Sequence, residues 1–175
     1  MGALTTLDGE LRDQGTPSQF LSFMQGTEMF AIGILAVREI LEYSGVTPVP
    51  GLPPCISGVI NLRGTAVPVL DLARRHERPP SPLGKRTCII VVEVYSDEGA
   101  FVIGILVDAV NAVLDIPASQ IEPAPRFGAA VRAELLQGIG KVQGRFVLLL
   151  NVQQVVSEHE IAALAEVGGL ANGGA

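Results

Sequence analysis

The side chains most often used for catalysis and metal binding are few in this sequence and far apart. Its two histidines are His76, in a basic segment, and His159, near the C-terminus. Neither follows an apolar run that carries a serine, cysteine or acid pair, which a nucleophile and its base would need. The two cysteines, Cys55 and Cys88, form no CxxC pair and are expected to be buried thiols. The sequence therefore predicts neither a catalytic nor a metal site.

The acidic residues and glycines do not change this interpretation. Asp71, Asp108 and Asp115 follow apolar runs, where turn and capping roles explain them. The 20 glycines include no phosphate-binding G-x-x-x-x-G-K-[ST] loop. We expect a non-enzymatic protein without a cofactor.

Two charged residues, Glu39 and Arg63, stand out because they interrupt apolar segments. If Val37–Leu41 is a strand, alternation places Glu39 on the face of Val37 and Leu41, where an unpaired carboxylate is costly. Glu39 then needs solvent, a partner protein or an internal cation. Arg63 lies in a Leu-Arg-Gly-Thr hairpin tip and is either a solvated arginine or that cation, because arginine and carboxylate pair in a defined bidentate geometry. We expect the pair to form a polar spot inside an apolar rim.

The elements that position these residues are short strands separated by Gly, Pro or Asp. Ten are predicted, with little helix between them, which favours barrels or sandwiches. Their ranges are Gln19–Phe23, Met29–Ile34, Val37–Glu42, Ser57–Leu62, Ala66–Asp71, Cys88–Tyr95, Ala100–Val107, Ala109–Leu114, Gln137–Val142 and Arg145–Asn151.

An internal repeat explains this number of strands. FAIGIL at 30–35 recurs as FVIGIL at 101–106, and the hairpin at 58–72 recurs at 138–152 with both of its glycines retained. In the second copy, Gln143 stands at the position of Arg63, and the alignment places Ala112 at the position of Glu39. The shared fold therefore requires neither charge. Each copy is too small for a core of its own, and we expect the two to share apolar surface, with a groove between them.

The remaining segments have simpler interpretations. Residues 1–17 are expected to be a flexible arm and 168–175 a flexible tail. Residues 18–167 are expected to form the domain, as two intertwined repeat barrels at roughly 18–72 and 87–152. The linker 73–86, with five basic residues, is either a solvated loop or a patch for an acidic partner. Ser157 and Glu160 form a capping box that starts a C-terminal helix over 157–167, which either packs on a barrel or binds a partner.

Composition excludes further classes. The chain has 175 residues, 48% of them hydrophobic and 17% charged, so it is not disordered overall. Its net charge of −6 argues against nucleic-acid binding. The N-terminus has no signal-peptide pattern and prolines interrupt the longest uncharged stretch, so we expect a cytoplasmic protein without direct membrane insertion.

Several motifs together carry a family resemblance: GILAVREI at 33–40, GVINLRG at 58–64 followed by VPVLDL at 67–72, GILVD at 104–108 and IEPAP at 121–125. Through these motifs, the sequence from Phe20 to Val167 resembles the CheW family of bacterial chemotaxis adaptors. It implies an all-β fold: two five-stranded SH3-like barrels packed through a hydrophobic seam, plus a short C-terminal helix. It also implies an adaptor that couples the cytoplasmic tips of chemoreceptors to the regulatory domain of the histidine kinase CheA, in arrays with other CheW-like domains beneath the inner membrane.

The resemblance also implies binding residues. The receptor would contact positions on both copies, which are Val37, Glu39, Arg63, Gly104, Val113 and Gly138. The kinase would dock at Ile34 and Gly58. Two alternatives remain open: an adaptor of a non-flagellar pathway, for surface motility or second-messenger control, and a small-molecule-binding β-barrel.

Overall fold

The structure is a computed structural model that describes residues 17–80, 82–97, 99–124, 133–157 and 159–164. Most of the predicted arm, the predicted tail and the last residues of the predicted helix lie outside them. Pro17, placed at the end of the arm, is the first residue of a strand. Within the described residues, no helix is long and apolar enough to span a membrane.

In the described residues, eleven strands form two sheets in which most neighbouring strands are antiparallel, which confirms the all-β prediction. In chain order they are β1 Pro17–Gln25, β2 Glu28–Gly33, β3 Val37–Glu42, β4 Ile56–Leu62, β5 Thr65–Asp71, β6 Cys88–Ser96, β7 Gly99–Val107, β8 Ala109–Pro117, β9 Ile121–Glu122, β10 Leu136–Val142 and β11 Arg145–Leu150. Helical turns are short: α1 at Leu72–Arg75 and 3₁₀ turns at Ile34–Ala36, Ala118–Gln120, Ala133–Leu135 and Val152–Gln154. Residues 159–164 are helical.

Each sheet combines strands from both copies of the repeat. The five-stranded sheet runs β3-β6-β7-β5-β4, and the six-stranded sheet runs β8-β1-β2-β11-β10-β9. The first hairpin of each copy therefore joins the last three long strands of the other copy. The ranges 18–72 and 87–152 therefore correspond to the two repeat copies and not to the two barrels, because each barrel contains strands from both copies.

Both sheets curl until their edges meet, and we call them the five-stranded and six-stranded barrels. In the first, Thr47 follows edge strand β3 and exchanges two backbone hydrogen bonds with Val59 of β4, at 2.8 and 2.9 Å. In the second, β9 follows edge strand β8 and pairs with β10. The two-residue β9, absent from the predicted strands, thus closes the six-stranded barrel, as the Thr47 bridge closes the five-stranded barrel.

Alternation along the strands produces three apolar clusters. One face of each sheet contributes to a large shared cluster that includes Phe30, Leu150, Leu70 and Ile105 and lies between the barrels. The opposite face of each sheet lines the interior of its own barrel. This interior contains Leu149 in the six-stranded barrel and Val69 and Val91 in the five-stranded barrel. The predicted hydrophobic seam is therefore the main core of the molecule.

Strand register corrects one alignment within the repeat. Phe20 pairs with Leu114. The repeat counterpart of Phe20 is Val91, 71 residues later, as for FAIGIL and FVIGIL, and Val91 pairs with Glu39. The counterpart of Glu39 is therefore Leu114 and not Ala112. A bulge in β8 lies opposite Ser22, whose hydroxyl donates to the Ala112 carbonyl at 2.8 Å and accepts from the Ala112 N–H at 3.2 Å. Simple alternation does not anticipate such an irregularity.

The linker is more ordered at its start than a solvated loop. Asp71 caps α1 by accepting from the Ala73 N–H at 2.9 Å, and His76 is buried and stacks on Phe30. Arg75 pairs with Glu160 of the C-terminal helix at 2.6 Å. Arg78 forms a bidentate pair with Glu28 at 2.9 and 3.2 Å. Part of the basic run therefore ties the linker to the domain, whereas its last two basic residues, Lys85 and Arg86, are exposed.

Candidate functional site

Glu39 and Arg63 form the predicted bidentate pair. Arg63 Nη1 donates to Glu39 Oε2 at 2.8 Å, and Arg63 Nη2 donates to Glu39 Oε1 at 3.1 Å. The Arg63 side chain remains 72% exposed and Glu39 28%. The pair joins β3 to the β4–β5 tip, and these are opposite edges of the five-stranded sheet. It therefore marks the closure of this barrel and faces solvent.

The hairpin tip holds Arg63 in a defined orientation. Arg63 has a φ of 53° and Gly64 a φ of 86°, the two positive values that a tight hairpin turn requires. Asn61 Oδ1 accepts from the Gly64 N–H at 2.7 Å and fixes the turn. The tip of the other barrel repeats this backbone at Gln143 and Gly144. The turn geometry therefore needs the glycine, whereas the arginine serves another purpose.

A bulge in β3 separates Glu39 from Val37. Val37 pairs with Val92 and Glu39 with the adjacent Val91, so Arg38 is the extra residue. As a result, Val37 packs against the seam whereas Leu41 packs against the barrel interior. The expectation that Val37 and Leu41 share one face was wrong, because simple alternation does not anticipate a bulge.

The electrostatics of the pair favour both charged forms. The hydrogen bonds from Arg63 lower the pKa of Glu39, against a smaller opposing effect of burial. The same bonds raise the pKa of Arg63. Beside them, Arg38 pairs with Glu93, which also accepts from the Tyr95 hydroxyl at 2.8 Å. Hydrogen bonds from Arg38 and Tyr95 lower the pKa of Glu93. Two ion pairs thus flank this strand.

Val37 and Val113 occupy equivalent positions on the two edge strands. Val37 pairs with Val92 and Val113 with Leu21, and these partners again lie 71 residues apart. Val113 is 49% exposed, whereas Val37 is half-buried against the seam. The structure therefore places the two predicted receptor-contact valines on different barrels at matching places.

Gly58 and Gly138 lie where each barrel closes. A Cβ on Gly58 would stand 2.6 Å from the carbonyl oxygen of Thr47, and one on Gly138 would stand 2.8 Å from that of Glu122. Gly104 of β7 is equally confined, because its Cβ would stand 2.6 Å from Ile89 Cγ2. All three glycines are buried, so their first role is to let chain segments approach closely.

Ile34 and its neighbour Leu35 lie on the 3₁₀ turn that precedes β3. Ile34 packs against the seam, whereas Leu35 is 98% exposed. Its repeat counterpart Leu106 is buried, because β7 continues to Val107 whereas β2 ends at Gly33. Sequence reasoning missed Leu35, since its motif is the same in both copies and only the strand length differs.

The histidines and cysteines lie in separate parts of the described structure. His76 is buried in the linker, His159 is exposed on the C-terminal helix, and Cys88 is half-buried on β6. Cys55 is buried under Arg75 and Glu160, with its Sγ 3.4 Å from Arg75 Nη1. Burial raises the pKa of this thiol, which makes it a poor nucleophile. Within the ranges that the structure covers, no group of three metal-ligating residues lies together.

The barrel interiors are filled by side chains, including Phe20 and Leu149 in the six-stranded barrel. A groove of about 710 Å³ lies instead at the surface, beside the C-terminal helix, where Tyr95, Gln153 and Ile161 line it. The structure therefore gives the small-molecule alternative no support from a barrel interior.

Comparison with known proteins gives a consistent result. Residues 19–160 match the family model described as a CheW-like domain. The chain is 35% identical to a chemotaxis protein CheW of Klebsiella aerogenes over 95% of its own length and 98% of that protein. It is 32% identical to protein FrzA of Myxococcus xanthus over 90% of its length and 98% of that protein. The crystal structure of the scaffolding protein TtCheW from Thermoanaerobacter tengcongensis superposes with a TM-score of 0.72 at 28% identity, over 82% of this chain and 90% of that one.

Proposed function

Because this chain belongs to the CheW family and is a chemotaxis adaptor, we propose that it joins the cytoplasmic tips of chemoreceptors to the regulatory domain of the histidine kinase CheA. The Glu39–Arg63 pair is the observation that carries this proposal. A bidentate ion pair on an exposed barrel edge contributes little to stability by itself, because water and salt screen the attraction between its charges. Such a pair instead offers directed charges to a protein partner. We propose that the chain performs this role without catalysis, in the cytoplasm at receptor arrays.

The proposed receptor surface spans both barrels. Glu39, Arg63 and Val37 supply one side, and the exposed Val113 supplies the other. Gly104 and Gly138 are buried, so their contribution is to hold the strands that carry these side chains. A groove between two rigid units is a common place for a helical partner.

The proposed kinase surface lies at the turn before β3. Ile34 anchors this turn on the seam, and the exposed Leu35 offers an apolar side chain to the kinase. Gly58 is buried below the Thr47 bridge and keeps this edge of the barrel closed. Exposed apolar residues on a rigid turn are typical of anchoring contacts in protein interfaces.

A charge swap tests the role of the pair. We expect Glu39→Arg and Arg63→Glu each to lower receptor-dependent kinase activation about tenfold or more, because each places like charges together and alters the surface offered to the receptor. The measurement is kinase autophosphorylation in arrays reconstituted from receptor fragments, kinase and adaptor. Circular dichroism melting should show the fold unchanged, since both side chains lie at the surface.

The double swap separates two explanations of a loss. It restores the ion pair with its polarity reversed, so it should stay inactive if a partner recognises the individual charges. Full activity of Glu39→Arg alone would overturn the proposal. Full activity of the double swap would show that the pair has only a structural role.

A second candidate is an adaptor of a non-flagellar pathway. The similarity to FrzA, a protein named apart from the chemotaxis CheW proteins, favours keeping it. The fold and surfaces would be the same, and only the receptors and kinase would differ. Affinity purification from the native organism, with mass spectrometry of the co-purified receptors and kinase, distinguishes the two.

A further inference from the structure

The β10–β11 hairpin tip of the six-stranded barrel presents an exposed aromatic side chain opposite a lysine and next in sequence to an arginine. Phe146 is 65% exposed, although phenylalanine is usually buried. Lys141 lies directly opposite Phe146, and Arg145 lies opposite Val142 at the end of the hairpin. Lys141 and Arg145 are both exposed. We call Lys141, Arg145 and Phe146 the basic tip.

The equivalent hairpin of the other barrel shows that the fold does not require these side chains. There the cross-strand pair Asn61–Ala66 takes the place of Lys141–Phe146, and Thr65 takes the place of Arg145. Both hairpins have the same turn and the same bulge, which lies before Gly58 in one and before Gly138 in the other. Small neutral residues therefore build this hairpin equally well, and the exposed phenylalanine needs a reason other than folding.

The charges at the two tips also differ in their partners. Arg63 is neutralised by Glu39. In the part of the chain that the structure describes, neither Lys141 nor Arg145 has an ion-pair partner. Alternation places Lys141 on the same face of the hairpin as Phe146 and Arg145 on the other face, at the end of the hairpin. Among the described residues, the basic tip thus offers an apolar ring beside one unpaired cation and a second unpaired cation at the tip, which suit an acidic partner with an apolar side chain.

We propose that the basic tip is an additional docking point for an acidic, partly apolar protein surface on one of the adaptor's partners. Phe146 would bury its ring, and Lys141 and Arg145 would each meet a carboxylate. The inference rests on the proposed adaptor function and adds the chemistry of one contact to it.

A nucleic acid or an anionic membrane fits the basic tip less well. Both present an extended negative field, and a chain with a net charge of −6 is repelled by it at long range. A single acidic protein site acts within about one Debye length, roughly 8 Å at physiological salt. Two local cations are enough for such a site.

The chain itself supplies the variant that tests this proposal. The triple change Lys141→Asn, Arg145→Thr and Phe146→Ala installs the side chains of the other hairpin, which the same backbone already accommodates. A matched control removes two exposed cations and an exposed leucine from the linker: Leu83→Ala, Lys85→Asn and Arg86→Thr. Isothermal titration with the purified receptor tip fragment and the purified kinase regulatory fragment, at two salt concentrations, measures each affinity.

We expect the tip variant to lose about tenfold or more in affinity for one of the two fragments, with a smaller salt dependence, while the control binds like the wild type. Equal affinity of tip variant and wild type for both fragments would overturn the proposal, as would an equal loss in the control. Binding of the wild type to duplex DNA or anionic vesicles through the same residues would also overturn it.

Failure of the adaptor function gives a different result. The wild type would then bind neither fragment. In that case the probe is an amphipathic helical peptide with glutamates flanking a leucine, and a lysine-substituted peptide is its control. Amide shifts confined to 141–146 with the acidic peptide alone would support the basic tip, and their absence would overturn it.

Discussion

At the residue scale, the buried glycines at the barrel closures leave no room for a side chain. Gly58→Ala would place a methyl group 2.6 Å from the Thr47 carbonyl oxygen, and this backbone atom cannot rotate away. We expect a loss of roughly 1–3 kcal/mol in the free energy of unfolding, the usual range for overpacking. Urea denaturation followed by circular dichroism measures it.

Gly33→Ala is the matched control for this substitution. Gly33 is also a β-strand glycine, but a Cβ there meets nothing within 4 Å. Its backbone has a φ of −57°, which alanine adopts without strain. The control should therefore keep the stability of the wild type. If Gly58→Ala were equally stable, closure of the barrel would tolerate a side chain and our account of the glycine would be wrong.

Residue-scale prediction from the sequence succeeded where chemistry restricted the choices. A carboxylate on an apolar strand needs solvent, a partner protein or an internal cation, and Arg63 was the suitable cation, so the Glu39–Arg63 contact could be proposed and is confirmed. The exposure of Leu35 could not, because the leucines of the two FxIGIL motifs, Leu35 and Leu106, have opposite burial although their local sequences match. Burial there depends on where a strand ends, which is decided by packing at long range.

At the element scale, the C-terminal helix is fixed by one carboxylate. Glu160 accepts from the Ser157 N–H at 2.7 Å, and the Glu160 N–H donates to the Ser157 hydroxyl at 3.1 Å, which confirms the capping box. The same carboxylate binds Arg75 of α1 at 2.6 Å. Glu160 therefore caps its own helix and ties it to the linker.

This arrangement predicts a pH-dependent stability. Burial alone would raise the pKa of Glu160, but the hydrogen bonds from Ser157 and Arg75 outweigh it and the pKa is lowered. The stabilisation is therefore complete above the unfolded glutamate pKa, roughly 4.3, and is lost as pH falls through the lower folded value. At pH 7, Glu160→Gln should cost roughly 1.5–3 kcal/mol, and this difference from the wild type should shrink in acid.

A double-mutant cycle with Arg75→Met isolates the pair from the cap. In the Arg75→Met background, Glu160→Gln should cost less, since only the interaction with Ser157 remains. The measurement is the free energy of unfolding from urea titrations between pH 3 and pH 7. A cost of Glu160→Gln that is independent of both pH and Arg75 would contradict this account.

The elements themselves were predictable where hydrophobic runs were long. All ten predicted strands are present, with ends shifted by up to three residues. The missed strand β9 has only two residues and is defined by its pairing with β10, so no local pattern announces it. The linker differs for a related reason: its arginines look solvated in the sequence because their acidic partners, Glu28 and Glu160, lie 50 and 85 residues away.

At the scale of the whole molecule, the repeat predicted two barrels and a seam but not their connection. FAIGIL and FVIGIL identify equivalent strands, yet they do not tell which hairpin each strand joins. The structure pairs β7 with β5 and β2 with β11, and both contacts are parallel and cross from one copy to the other. An arrangement in which the two copies exchange their first hairpins has the same local sequence pattern as two separate barrels. Only long-range packing therefore distinguishes the exchanged arrangement from the separate one.

The exchange predicts that neither copy folds alone. A break after Pro82, in the exposed end of the linker, gives fragments 1–82 and 83–175, each with an incomplete set of strands for both barrels. Each fragment by itself would expose half of the seam, and we expect circular dichroism and amide spectra of a largely unfolded chain. Mixed in equal amounts, the fragments should regain the native spectrum, because the seam and both parallel contacts then form between them.

A control break in the β10–β11 turn after Gln143 leaves β10 and β11 on different fragments but keeps the remaining strands on one chain. A folded fragment 1–82 or 83–175 in isolation would show that one copy is an independent domain and would contradict the exchanged architecture.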